Sequence, residues 1–225
     1  MSTFQRARSE EQRTARRRAI LGAAAEMLAE MPVAEVSLNE LSRRVGLAKS
    51  NVLRYFESRE AVLLELLDSM WRTWLVELEG ELSAQIDTTV PVAERGDQLA
   101  AVLAASLTSR PVLCDLIGAQ AAVLEHNVSP QVAAQYKRAA TANVTALAHL
   151  VRTCLPELGE HDTGRLAAGV MLVTGALWPH SHPSDAMLAA YQADPSLAAM
   201  RIDFAATVRE ILEVLVAGLL ARASR

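Results

Sequence analysis

The chain has 225 residues, 51% of them apolar and only 4% aromatic, with a formal net charge of −4. A chain of this length can bury a sizeable core, and abundant alanine and leucine with almost no β-branched alternation favour an all-α fold. The longest apolar runs, Leu166–Trp178 and Ile211–Ala221, fall short of the ~20 residues a membrane span needs. The start, MSTFQRARSEEQRT, has no apolar signal-peptide core. Cys114 and Cys154 stand far apart with neither a disulfide framework nor metal-ligand spacing. A soluble, cytoplasmic protein is expected, with no membrane partner.

The charge is unevenly divided. Residues 1–60 carry eleven Lys and Arg against eight Asp and Glu, whereas the remainder carries 11 against 18. A basic front end on an acidic body presents one face to a polyanion and keeps the rest away. Within it Arg13, Arg16, Arg17 and Arg18 cluster near the start of a helix, where cations oppose the helix dipole. A backbone phosphate, with Arg16 as a candidate contact, and a solvated arm are both open readings.

The first helix is expected from about Ser9 to Glu30, with Ile20, Ala24, Met27, Leu28 and Met31 in one apolar stripe and Pro32 as its stop. Ser37 with Glu40 three residues on forms a capping box, which starts a second helix at Ser37, with Val36 stapling onto Leu41. Leu38, Leu41 and Val45 face inward, and Gly46 supplies a left-handed terminator. A short third helix follows, with Val52 and Phe56 inside and Lys49, Ser50, Asn51, Arg54 and Tyr55 outside. Two cations and neutral hydrogen-bonding side chains on a short outward helix suit the DNA major groove. The pattern is that of a helix-turn-helix, and Ser37 and Arg44 join the candidate DNA contacts. A purely structural helical hairpin is the alternative.

The segments RRAILGAAAEMLAE (Arg17–Glu30) and VSLNELSRRVGLAKSNVLRYFESREAVL (Val36–Leu63) resemble the DNA-binding domain of the tetracycline-repressor (TetR/AcrR) family of bacterial regulators. Where that family's recognition helix usually opens with serine, this chain has Ala48, and Leu53 stands where a tyrosine is usual. The resemblance implies an N-terminal three-helix reading domain and a C-terminal helical domain for effector binding and dimerisation. The expected division is 1–58, the basic arm and helix-turn-helix, and 59–225, the effector-binding and dimerisation part.

A long helix from Arg59 to about Leu82, capped by Ser58, would link the two parts. Prolines then separate helices expected at 93–107, 111–124, 130–155, 162–178, 185–192 and 203–222, with no proline inside a helix. The helices around 162–178 and 203–222 are apolar over most of their surface and must be covered on more than one side. By resemblance they form a twofold interface through Leu166, Val170, Val173, Phe204, Val208, Ile211, Leu215 and Leu219. Burial within one chain is the alternative. The resemblance likewise implies a pocket for a small apolar effector, with Trp71, Trp74, Leu113, Leu116, Tyr136, His149 and Trp178 as candidate lining; each also suits an ordinary core position.

No GxSxG elbow, GxGxxG or P-loop pattern is present. His180 and His182, in WPHSHPS, and His161 next to Asp162 lack the ligand set of a metal site. No enzyme, cofactor or metal is therefore expected. The reading is a TetR-like regulator, a repressor by family habit, that binds a palindromic operator on double-stranded DNA as a homodimer and is released by a small apolar effector. An effector-independent helix-turn-helix protein is the alternative, and a helical enzyme or carrier a distant third.

Overall fold

A computed structural model describes residues 3–224, with side chains from Glu10 onward, so Arg6 and Arg8 of the basic front end lie outside the described side chains. Among the described residues there is no strand. The helices are α1 (Thr3–Glu30), α2 (Leu38–Val45), α3 (Lys49–Val52), α4 (Arg59–Gln85), α5 (Val92–Thr108), α6 (Pro111–Ala119), α7 (Pro130–Cys154), α8 (Glu160–Ser181), α9 (Asp185–Ala193), α10 (Pro195–Ala198) and α11 (Phe204–Ala223). A 3-10 turn, Val33–Glu35, follows Pro32, and a π turn, Gln120–Leu124, finishes α6. The all-α expectation therefore holds.

Two compact units divide the chain: Met1–Ser69 with Ala119–Lys137, and Met70–Gly118 with Arg138–Arg225. In the first, Ile20, Ala24 and Met27 of α1 are fully buried and supply the surface that short α2 and α3 need. Val36, Leu41, Val52 and Phe56 close onto that surface, with Val62 and Leu63 from the first turns of α4. Ser129 precedes α7 and caps it, its Oγ accepting from the Val132 N–H at 3.3 Å, while its own N–H donates to Glu57 Oε1 at 2.6 Å.

In the second unit α11 packs on α5 and α8. Small residues permit the close approaches: a Cβ on Gly96 would lie 2.7 Å from Val216 Cγ1, and one on Gly169 2.7 Å from Leu215 Cδ2. Arg110, at the α5–α6 corner, bonds Glu77 Oε2 at 2.7 Å and Glu81 Oε1 at 2.8 Å on α4 and the Ser106 carbonyl at 2.6 Å. Arg95 is buried and donates to the Cys154 carbonyl at 2.9 Å while pairing with Glu157. Cys114 and Cys154 are free and buried, and burial pushes the thiols up, to about 12 and about 11.

One expectation about the prolines is overturned. Pro179 lies inside α8, near its end. Its missing N–H forfeits one bond in the last turn, where helices fray in any case. The ring finds a seat instead against α6, where a Cβ on Gly118 would come within 3.1 Å of Pro179 Cγ. Other bounds agree with expectation within a few residues, except that α1 begins at Thr3 and α10 was not anticipated.

Candidate nucleic-acid interface

The reading element is built from its caps. Ser37 Oγ accepts the Glu40 N–H at 3.1 Å and opens α2. The Glu40 carboxylate turns outward instead of back to the cap, taking Arg43 Nη2 at 2.5 Å and Arg44 Nε at 3.3 Å. Gly46 ends the helix in the left-handed region, φ 69° and ψ 31°, its N–H bonding the Arg43 carbonyl at 3.1 Å. The Leu47 N–H reaches back to the Ser42 carbonyl at 3.0 Å, so the turn leaves few carbonyls unpaired.

Ala48 stands at the N-cap of α3 with no side chain to cap it. Only Lys49–Val52 is regular helix, but the Tyr55 and Phe56 N–H groups bond the Val52 carbonyl at 2.9 and 3.1 Å. The helical turn thus continues to Phe56. Val52 and Phe56 are buried, and Lys49, Ser50, Asn51 and Arg54 are exposed, with Tyr55 half-buried. Leu53 is also on the surface, 42% exposed.

Arg16 is exposed together with Arg13 and Arg18. Arg44, expected as a DNA contact, is half-buried and paired at the surface with Glu30, its Nη1 and Nη2 donating to the two carboxylate oxygens at 2.9 and 2.5 Å. Hydrogen bonds from Arg44 hold the Glu30 carboxyl below the usual range, and those from Arg43, then Arg44, do the same for Glu40. Sequence reasoning missed Arg17. Its Nη1 donates to the Tyr55 carbonyl at 2.5 Å, its Nη2 pairs with Glu65, and the guanidinium lies 4.2 Å from the Phe56 ring centroid. Only its neighbours' polarity was legible: an arginine run does not reveal which member turns inward. Arg59, likewise missed, donates from Nη1 to the Val36 carbonyl at 2.8 Å.

The expected effector lining is divided. Tyr136 belongs to the first unit; Trp71, Trp74, Leu113, Leu116, His149 and Trp178 belong to the second. All but His149 are buried. The Trp74 indole N–H donates to Ser106 Oγ at 3.0 Å, and the Trp178 ring lies against His182 at a 34° tilt, centroids 4.0 Å apart, and edge-on to Phe204 at 4.9 Å. Trp71 Nε1 and Tyr136 Oη are buried without a hydrogen-bond partner. His149 lines a cavity of about 310 Å³ with Glu79, Leu82, Ile86, Leu150 and Cys154 among its walls.

Of the expected interface residues, Leu166, Val170, Phe204, Val208 and Leu219 lie inside the protomer, 0–7% exposed, and Val173 and Leu215 are half-buried. On the same helices Leu172 is 74%, Val214 69% and Ile211 37% exposed. Among the described residues no group of three or more His, Cys, Asp or Glu side chains is placed to hold a metal ion. No single helix among them is long and apolar enough to cross a membrane.

A capped helix, a left-handed glycine turn and a second helix with a polar outer face make the first unit a helix-turn-helix domain, followed by a larger helical one. The family described as bacterial regulatory proteins of the tetR type matches residues 20–66, and the tetracyclin repressor-like C-terminal domain matches residues 68–223. The chain belongs to the TetR family of bacterial transcription regulators.

Among its relatives, the HTH-type transcriptional regulator EthR of Mycobacterium tuberculosis is 42% identical over 50 residues, 22% of this chain and 23% of that protein. The alignment thus spans less than a quarter of the relative's length. A TetR transcriptional regulator from Rhodococcus sp. RHA1 superposes with a TM-score of 0.57 at 15% identity, over 94% of this chain and 98% of that one. The fatty acid degradation regulator FadR from Bacillus halodurans does so with a TM-score of 0.55 at 14% identity, over 89% and 98%. Both likenesses concern the fold.

Proposed function

We propose that the protein is a homodimeric repressor that reads a palindromic operator and releases it on binding a small apolar effector. The observation that carries the reading is the outer face of the second motif helix. Lys49, Ser50, Asn51 and Arg54 are exposed on a turn whose inner side is locked by Val52 and Phe56. Cations there meet phosphates and guanine edges, and Asn51 offers the paired donor and acceptor that adenine requires. In this reading residues 1–58 are the arm and reading head, and 59–225 bind effector and partner.

Dimerisation is supported by a second apolar stripe on each of two helices. On α11, Ile211, Val214 and Gly218 recur at helical spacing away from the buried set, and on α8 Leu172 and Ala176 do the same. A twofold axis through that face would pair two reading heads, and successive major grooves lie ~34 Å apart. An effector in the helical part would act through α4, which runs on from the reading head. A coupling of ~1–3 kcal/mol lowers DNA affinity about 5–150-fold.

Effector-independent binding is the second reading. It is favoured by the Trp74 indole, whose hydrogen bond to Ser106 is already satisfied within the core. Selection of bound duplexes from random DNA tests the main proposal, a palindrome being the expected result. Lys49→Ala and Arg54→Ala should each weaken binding of that duplex by about tenfold or more without unfolding the protein. Normal binding by both variants would place the reading face elsewhere. Thermal shift with apolar compounds separates the two readings: a raised melting point accompanied by loss of DNA supports an effector.

A further inference from the structure

We propose that Arg17 is a positioning residue: with Glu65 it forms a clasp through which α4 sets the attitude of the recognition helix. The inference rests on the DNA-binding reading above. Arg17 is the half-buried member of a run whose other arginines, Arg13, Arg16 and Arg18, are exposed. Its three engagements belong to two elements. The Tyr55 carbonyl and the Phe56 ring are the exit of the recognition helix, and the Glu65 carboxylate stands on α4.

Only a guanidinium meets all three at once. Its planar fork presents separate N–H groups to a carbonyl and a carboxylate while its face lies over an aromatic ring; a lysine ammonium is a point charge that serves one such partner well. At the other end of the motif Arg59, in the first turn of α4, bonds the Val36 carbonyl at 2.8 Å, just before the Ser37 cap. Thus α4 holds the entry to α2 through Arg59 and the exit from α3 through Glu65 and Arg17. A tilt of α4 is transmitted to the reading helix as a rotation, because the two attachments, Arg59 and Glu65, lie about 1.7 turns apart on α4.

The test uses the full chain and the duplex that the wild-type protein selects from random DNA, with circular dichroism confirming a native fold at the assay temperature. Arg17→Lys and Arg17→Met should both lose about tenfold in affinity, with the slope of log K against log salt unchanged. A phosphate contact would behave otherwise: lysine would retain affinity, and methionine would flatten the slope by about 0.9. That result would overturn the clasp.

Glu65→Gln supplies a test by sign. Removing a negative charge near DNA strengthens binding if long-range electrostatics alone operates, whereas the clasp requires binding to weaken. Tighter or unchanged binding by Glu65→Gln would refute the proposal even if the Arg17 variants were damaged in folding. A wild-type protein that selects no duplex would instead remove the reading on which the clasp rests.

Discussion

The same substitution at two glycines is expected to move stability in opposite directions. A Cβ added at Gly22, within α1, meets nothing within 4 Å, and neither does one added at Gly46. Steric crowding is therefore equal and negligible, and only the backbone distinguishes the sites. Gly22 is helical and exposed, so Gly22→Ala gains helix propensity and narrows the unfolded ensemble, a stabilisation of about 0.5–1 kcal/mol. Gly46 has φ +69°, where an L side chain approaches its own carbonyl, so Gly46→Ala costs about 1–2 kcal/mol. In a chain of this size each kcal/mol shifts the melting temperature by about 2–4 °C. Thermal melts followed by far-UV circular dichroism should thus separate the variants by several degrees, one above and one below wild type. Shifts of like sign would mean that the α2–α3 turn is not held in the left-handed conformation.

Ser37→Ala removes the Oγ that caps α2 and should destabilise by about 1 kcal/mol, read from a urea midpoint. Val214→Glu and Leu172→Glu should convert a dimer into a folded monomer in sedimentation, while Val208→Glu, fully buried, should unfold the protomer itself. The Glu30 and Glu40 carboxyls are depressed below 4.5 in the folded state, so their stabilisation is present above that value and lost as pH falls through the lower folded value. Arg44→Met should therefore flatten the acid side of a melting-temperature profile taken between about pH 6 and pH 3. Cys114, whose thiol burial pushes up to about 12, should resist a thiol reagent at neutral pH until urea opens the fold.

Most of the reading head was legible because its signals are local. Ser37, Glu40, Gly46 and the spacing of Leu41, Val52 and Phe56 each fix a cap, a turn or an inner face within a few residues. Even the missing cap at Ala48 could be read directly. Arg17 and Arg44 were not legible, since each is defined by partners far along the chain: Glu65 and Tyr55 for one, Glu30 for the other. Charge runs identify polarity but not which guanidinium is taken up by the protein's own carboxylates. Pro179 shows a similar limit. Its place inside α8 depends on a seat beside Gly118, which no local pattern contains.

The outer faces of α8 and α11 show how a helix with more than one apolar stripe leaves open which of them turns inward. On α11 the sequence stripe Phe204, Val208, Ile211, Leu215 and Leu219 differs from the buried set Phe204, Val208, Leu212, Val216 and Leu219 at two places, each by one residue. One residue is about 100° of helix rotation, enough to exchange the face toward α5 for the face toward solvent. The close approach at Gly96 decides the matter, because the absence of a side chain there admits Val216 and so turns Leu215 toward Gly169. What remains outward is Ile211 and Val214 on α11, and Leu172 on α8. A helix apolar over most of its surface therefore carries two usable stripes. The one its own chain does not claim is the one available to a second copy.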